Sequence, residues 1–236
     1  MANKVLEIKN LKKYYGTGNS QVKALDGVTF DVYDGELLVL VGNSGCGKST
    51  LLNIIAGMDS PTEGEVFIDG EDISKYNDKK LTQYRKEKIG FIFQFYNLLP
   101  DLTALENVKL SIHGKDEENR AKTTLELVGL GGDKMNQYPS KMSGGEQQRV
   151  SIARALAKES KFILCDEPTG ALDDKTGRKI LVLLQDLVRK QGQTMIIVTH
   201  TTPIAQMANR IISLRDGKIS KIEINEHPMD ANDIEW

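Results

Sequence analysis

Short, partly alternating segments rich in β-branched residues fill the first forty positions. Residues 5–8 (VLEI), 28–32 (VTFDV) and 36–41 (ELLVLV) read as strands. Asp34-Gly35 is a turn signal between the last two. The run LLVLV at 37–41 has no polar position, which predicts a central strand covered on both faces. A glycine-rich stretch follows, then an amphipathic helix over about 48–56. The turn Pro61-Thr62-Glu63-Gly64 leads into another strand pair around 66–68.

Helical periodicity dominates from about 102 to 157. Strands return at 162–165 and 195–198, with a helix over roughly 176–190 between them. Residues 211–214 and 218–222 flank Asp216-Gly217 and predict a closing hairpin. The run Asp116-Glu117-Glu118 reads as a solvated helix start, and 225–236 has no clear period. Strand–helix alternation at both ends predicts a mostly parallel sheet with helices packed on it. The helical middle then reads as an inserted subdomain.

Bulk properties narrow the partners. The 236 residues suffice for one large domain or two small ones. With 39% hydrophobic and 27% charged residues, the composition is that of an ordinary globular chain. A net charge of −2 argues against nucleic acid as a partner. Cys46 and Cys165 are the only cysteines and lie far apart, so neither a disulfide framework nor a zinc site is expected. The start, MANKVLEIKNLKK, lacks the apolar core of a signal peptide. Apolar runs fall well short of the roughly 20 residues a membrane-spanning helix needs. A cytosolic chain that meets a membrane only through a partner is therefore expected.

The candidate chemistry begins at Gly42-Asn43-Ser44-Gly45-Cys46-Gly47-Lys48-Ser49, which matches G-x-x-x-x-G-K-[ST] in full. The glycines let the backbone curl so that its N–H groups face phosphate oxygens, and the following helix adds its positive end. Lys48 would reach the β- and γ-phosphates of ATP, Ser49 would hold Mg²⁺, and Thr50 can add a hydroxyl contact. Cys46 reads as a small loop filler. The second half of the site is Phe162-Ile163-Leu164-Cys165-Asp166-Glu167. An apolar strand ending in two carboxylates would deliver Asp166 to the Mg²⁺ shell and leave Glu167 to orient or deprotonate water.

Between these motifs stands Ser143-Gly144-Gly145-Glu146-Gln147-Gln148-Arg149, opening a helix over 150–157. It resembles the signature motif of ABC-type ATPases. Other landmarks of that family fall in order. Gln94 matches the glutamine that senses Mg²⁺ and the transport partner. Ala171-Leu172-Asp173 matches the loop that contacts the other subunit. His200 matches the switch histidine at the γ-phosphate, and Tyr15 the aromatic on adenine, with Tyr14 adjacent as an alternative.

The resemblance spans about residues 5–222. It implies a P-loop NTPase (RecA-like) core with an antiparallel β subdomain and a helical subdomain inserted at about 95–157. It further implies a single ATP-binding domain over 5–236 and a head-to-tail dimer in which each signature completes the other subunit's ATP site. Met142 replaces the usual leucine before the signature, a mild apolar swap. Glu146 stands where glutamine is usual, a carboxylate that could weaken closure near the γ-phosphate of the second subunit; followed by Gln147-Gln148-Arg149 it matches a form familiar in one branch of the family and reads as a variant, not a defect.

Residues 51–57 (LLNIIAG), 89–99 (IGFIFQFYNLL), 102–108 (LTALENV) and 166–173 (DEPTGALD) resemble the branch of macrolide exporters, lipoprotein-releasing ATPases and bacitracin-type resistance pumps. That branch implies a separate FtsX- or MacB-type permease and a bacterial ATPase held on the cytoplasmic face of the membrane. It works in export, or in resistance to antibiotic, peptide, haem or lipid-linked substrates. The alternative within the branch is a divisome-type regulator that controls a cell-wall hydrolase through an FtsX permease without transport. Translation and repair members carry a second ATPase domain or long coiled-coil inserts, which these residues do not show. The apolar stretch 95–100 reads either as local packing or as a groove for the permease, and 110–121 is short for this branch.

Overall fold

The computed structural model describes residues 3–235. Two sheets organise it. The first is antiparallel, in the order β2-β1-β4-β5. It comprises β1 (Lys4–Tyr15), β2 (Val22–Tyr33), β4 (Glu63–Ile68) and β5 (Glu71–Asp72). Both leading strands run much longer than their apolar cores predict. The second half of β1 pairs antiparallel with the first half of β2 through several register shifts, so period two is broken just where polar residues take over.

The second sheet has the order β10-β9-β3-β8-β7-β6. Its members are β3 (Leu37–Val41), β6 (Ile89–Ile92), β7 (Phe162–Asp166), β8 (Thr194–Thr199), β9 (Arg210–Arg215) and β10 (Lys218–Ile224). Neighbours from β9 to β6 are parallel, and only β10 runs antiparallel. Asp216 and Gly217 both take positive φ, as the two-residue turn of the β9–β10 hairpin requires.

Side chains alternate across a strand, and β3 shows why LLVLV is wholly apolar. Leu37, Val39 and Val41 enter one core with Ile163, Cys165, Met195 and Ile197. Leu38 and Leu40 enter a second core with Phe162, Leu164, Ile196 and Val198. The first core is closed by the helical middle and by α6 (Asp174–Gln191). The second is closed by α1 (Lys48–Ile55) and the antiparallel sheet.

The helical middle is three helices: α3 (Ala104–Lys109), α4 (Glu117–Leu127) and α5 (Gly144–Leu156). Single 3₁₀ turns at Gly132–Asn136 and Pro139–Lys141 separate α4 from α5. Asp116 stands at the N-cap position of α4 without a side-chain cap bond, and Glu117 and Glu118 fill the first turn, so the acidic run does open a helix. One helix escaped the apolar pattern altogether: α2 (Asp78–Lys88, DKKLTQYRKEK), whose only buried residue is Tyr84. Asn77 caps it by accepting the Lys80 N–H, and Tyr84 Oη donates to Ile55 O at 2.7 Å.

Residues 225–235 lack regular structure yet are tied down. Ala231 and Ile234 are buried in the first core. Gln185 of α6 donates to Met229 O at 2.8 Å and accepts the Ala231 N–H at 2.9 Å.

Candidate functional site

The parallel strands end on one edge of the central sheet, and the candidate residues leave from there. β3 runs into the glycine loop and α1. Gly47 caps α1 with φ +105°, and a Cβ there would stand 2.2 Å from Ala24 O on β2. Only glycine permits both that dihedral and that approach. A Cβ at Gly42 would lie 2.4 Å from Leu214 O, so the loop is pressed against β9 as well.

A cleft opens over this loop. Ser44, Gly45, Gly47, Lys48, Ser49 and Thr50 line one side, and Gln94, Asp166, Glu167 and His200 the other. Val22, Lys23 and Ala24 of β2 and the Asp216-Gly217 turn close its rim. Gly42, Asn43 and Cys46 lie behind the loop. Lys48 Nζ donates to Gly42 O at 2.7 Å and to Asn43 O at 2.9 Å, and Cys46 is buried against the same ammonium. These two carbonyls aim the lysine at the loop's hollow.

Asp166 closes β7. Burial pushes its carboxyl up, opposed by the Ser49 hydroxyl, which donates to Oδ1 at 3.4 Å; neighbouring Glu167 adds to the rise. A half-buried carboxylate with a hydroxyl and the Gln94 amide on the same cleft supplies the hard oxygen donors that Mg²⁺ prefers, so the residues fit that ion. No cluster of three or more His, Cys, Asp or Glu able to hold a metal occurs among the described residues. Any further ligands of such an ion would be phosphate or water oxygens.

Glu167 takes φ +48°, an uncommon backbone for glutamate, and its N–H donates to Val198 O at 2.9 Å. Both carboxylate oxygens are engaged. His200 Nδ1 stands 2.8 Å from Oε1, and Thr199 Oγ1 donates to Oε2 at 3.1 Å. Thr199 is fully buried and also accepts the Thr201 N–H at 3.0 Å. Nothing in the sequence pattern singled out this threonine.

Tyr15 is not a wall of the cleft. It stands outside on β1, with Oη donating to Asp59 Oδ2 at 2.7 Å, its hydroxyl near Thr50. Tyr14 is committed to Asp26 at 2.6 Å. Ser143, Gly144, Gly145 and Asp173 do not line the cleft either. They gather elsewhere: a Cβ at Gly145 would stand 2.3 Å from Thr176 Cγ2, and Asp173 caps α6 by accepting the Thr176 N–H at 3.0 Å. Gln148, buried on α5, donates to Pro168 O at 2.7 Å and so ties the signature helix to the turn after Glu167.

Glu146 is engaged within the start of its own helix. Its carboxylate does not stand away from its helix toward an incoming phosphate. It folds back to cap α5 and pairs with Lys134 Nζ at 2.5 Å.

A second depression lies beside β6. Phe91, Phe93, Leu98 and Leu99 form its apolar side, with Arg85, Arg154 and Lys158 around it. Phe95 is 75% exposed and Leu99 50%, while Leu98 packs on the first core, so the apolar stretch is only partly core packing.

The family profile described as ABC transporter matches residues 25–170. The lipoprotein-releasing system ATP-binding protein LolD of Syntrophus aciditrophicus is 45% identical over 220 residues, 91% of this chain and 98% of that protein. The macrolide export ATP-binding/permease protein MacB of Shigella sonnei is 44% identical over 91% of this chain, which spans 34% of that longer protein. Among solved structures, a dimeric post-hydrolysis state of the ATP-binding cassette MJ0796 bound to ADP and Pi superposes with a TM-score of 0.86. It shares 43% identity, over 94% of this chain and 99% of that one. The chain belongs to the ABC transporter family as an ATP-binding subunit of the LolD- and MacB-like kind, and it is an ATPase.

Proposed function

We propose that two copies of this chain close head to tail on two ATP molecules and drive an FtsX-type permease from the cytoplasmic face of the membrane, in export or extraction. One observation carries the reading. The cleft holds the phosphate loop, Asp166, Glu167 and His200, whereas the start of α5 and Asp173 lie outside it. A nucleotide bound there has one side left for a second copy to cover. The dimeric state named for the MJ0796 cassette supports this.

In this reading the loop N–H groups and Lys48 hold the β- and γ-phosphates. Tyr15 and the β2 rim lie on the adenine side. Mg²⁺, held by Ser49, Gln94 and Asp166, neutralises phosphate charge when bound. Glu167 accepts a proton from water as the water oxygen bonds to the γ-phosphorus and the bond to the ADP oxygen breaks. Thr199 holds the far oxygen of that carboxylate. His200, bonded to Glu167 through Nδ1, presents its other nitrogen toward the γ-phosphate. Ser143 and Gly145 of the second copy complete the site.

No helix among the described residues is long and apolar enough to cross a membrane, so the reading needs a separate membrane partner. The depression bearing Phe95 and Leu99 is the surface offered to it.

The direct test is Glu167→Gln. ATP binding should persist, hydrolysis should fall by at least about a hundredfold, and ATP should convert the variant to a dimer in sedimentation. Hydrolysis at the parent rate would remove Glu167 from its assigned role. Mild detergent extraction should recover an FtsX-type permease with the parent chain, and a variant with Phe95→Asp should lose it.

A further inference from the structure

Glu146 is the third residue of α5. Oε2 accepts the Ser143 backbone N–H at 2.9 Å and the Ser143 hydroxyl at 2.9 Å, while Oε1 meets Lys134 Nζ at 2.5 Å. Lys134 is the largest influence on this carboxyl, ahead of the two Ser143 contacts, and together they hold it down at about 2. Glu146 is therefore a full anion at any working pH. It sits at the positive end of α5, where Ser143 has to receive phosphate in the dimer reading.

The chain contains its own comparison. Thr103 and Glu106 form the same capping box at α3. There the carboxyl is lowered chiefly by the Thr103 N–H and hydroxyl, with Lys109 the least of the causes. A capping box thus forms in this fold without a lysine on the glutamate. Lys134 comes from the 3₁₀ turn at Gly132–Asn136, anchored by buried Met135, and half of its side chain is exposed. Its contribution at α5 is charge, beyond what the cap requires.

We infer that Lys134 is a positioning residue for ATP-driven dimerisation: it neutralises Glu146 so that the start of α5 accepts the γ-phosphate carried by a second copy. The inference rests on the dimer reading above. As Ser143 Oγ turns from Glu146 to phosphate, Lys134 keeps the carboxylate held through Oε1. Without it, two anions would face each other across the interface.

The test titrates ATP against the Glu167→Gln protein, following the dimer by light scattering. Lys134→Ala should raise the ATP concentration for half-dimerisation about three- to fivefold, the scale of a partly exposed ion pair. Lys134→Arg should stay within about twofold of the parent, because the charge is kept. In a Glu146→Gln background the Lys134→Ala effect should vanish, and added salt should shrink it in the Glu146 protein. Thermal unfolding of each variant separates this from loss of fold. Parental dimerisation of Lys134→Ala, or an undiminished effect in the Glu146→Gln background, overturns the inference and leaves the dimer reading standing. A Glu167→Gln protein that stays monomeric at saturating ATP overturns both.

Discussion

Thr199 fixes Glu167 by a hydrogen bond that no motif announces. Its hydroxyl is buried, accepts from Thr201 N and donates to the carboxylate, so its direction is determined. Thr199→Val keeps the shape and removes the donor. It should lower kcat about tenfold with little change in KM, and Thr199→Ser should restore most of the rate. A parental kcat for the valine variant would end this assignment. Lys48, Ser49, Asp166 and Glu167 were legible in the sequence because a phosphate loop and an acidic strand end are local patterns. Thr199 was not, since a strand threonine is ordinary until its partner is seen. The pairing of Glu146 was not legible for a related reason. Its counter-ion, Lys134, is twelve residues away and on no shared helix, so composition alone exposed only the negative charge.

At the scale of elements, the turn from β3 into α1 admits one residue type at Gly47. Gly47→Ala places a methyl against Ala24 O while φ stays near +105°. The loop must shift, at a cost of about 2–4 kcal/mol, and its grip on phosphate should weaken with it. Calorimetry should find a lower unfolding midpoint and a smaller gain in stability from added ATP. The central strands were readable from five-residue apolar runs because both of their faces are covered. α2 was not, because Tyr84 is its sole buried side chain and its stability comes from the Asn77 cap and from bonds to the end of α1. The helical middle was read as one periodic block, since the 3₁₀ turns that divide it contain both apolar and polar residues.

Across the whole molecule, residues 225–235 matter more than their lack of period suggests. Asn225 donates to Gln206 O and Ala208 O, just beyond the segment that carries His200, and Arg189 of α6 donates to Pro228 O. This stretch joins α6, whose cap Asp173 lies outside the cleft, to the segment that follows β8 and carries His200, which lines it. Ile234→Ala should cost about 3 kcal/mol, or roughly 6–12 °C in midpoint for a chain of this size, which thermal unfolding will measure. An unchanged midpoint would mean that the strap is not part of the folded unit. Sequence pattern missed it because irregular backbone held by side chains leaves no periodic trace.

The strand order also sets when this protein can become active. β3 carries the phosphate loop, yet both of its neighbours are β8 and β9: Leu37 pairs with Met195, and Leu38 with Arg210. During synthesis the LLVLV strand emerges early and waits on the order of ten seconds or more for the strands that flank it. Until then one apolar face, Leu38 and Leu40, rests on the antiparallel sheet and α1, but both hydrogen-bonding edges of the strand lack their partners. A nascent chain halted before β8 should therefore fail to retain ATP, although every residue of the loop has already been made.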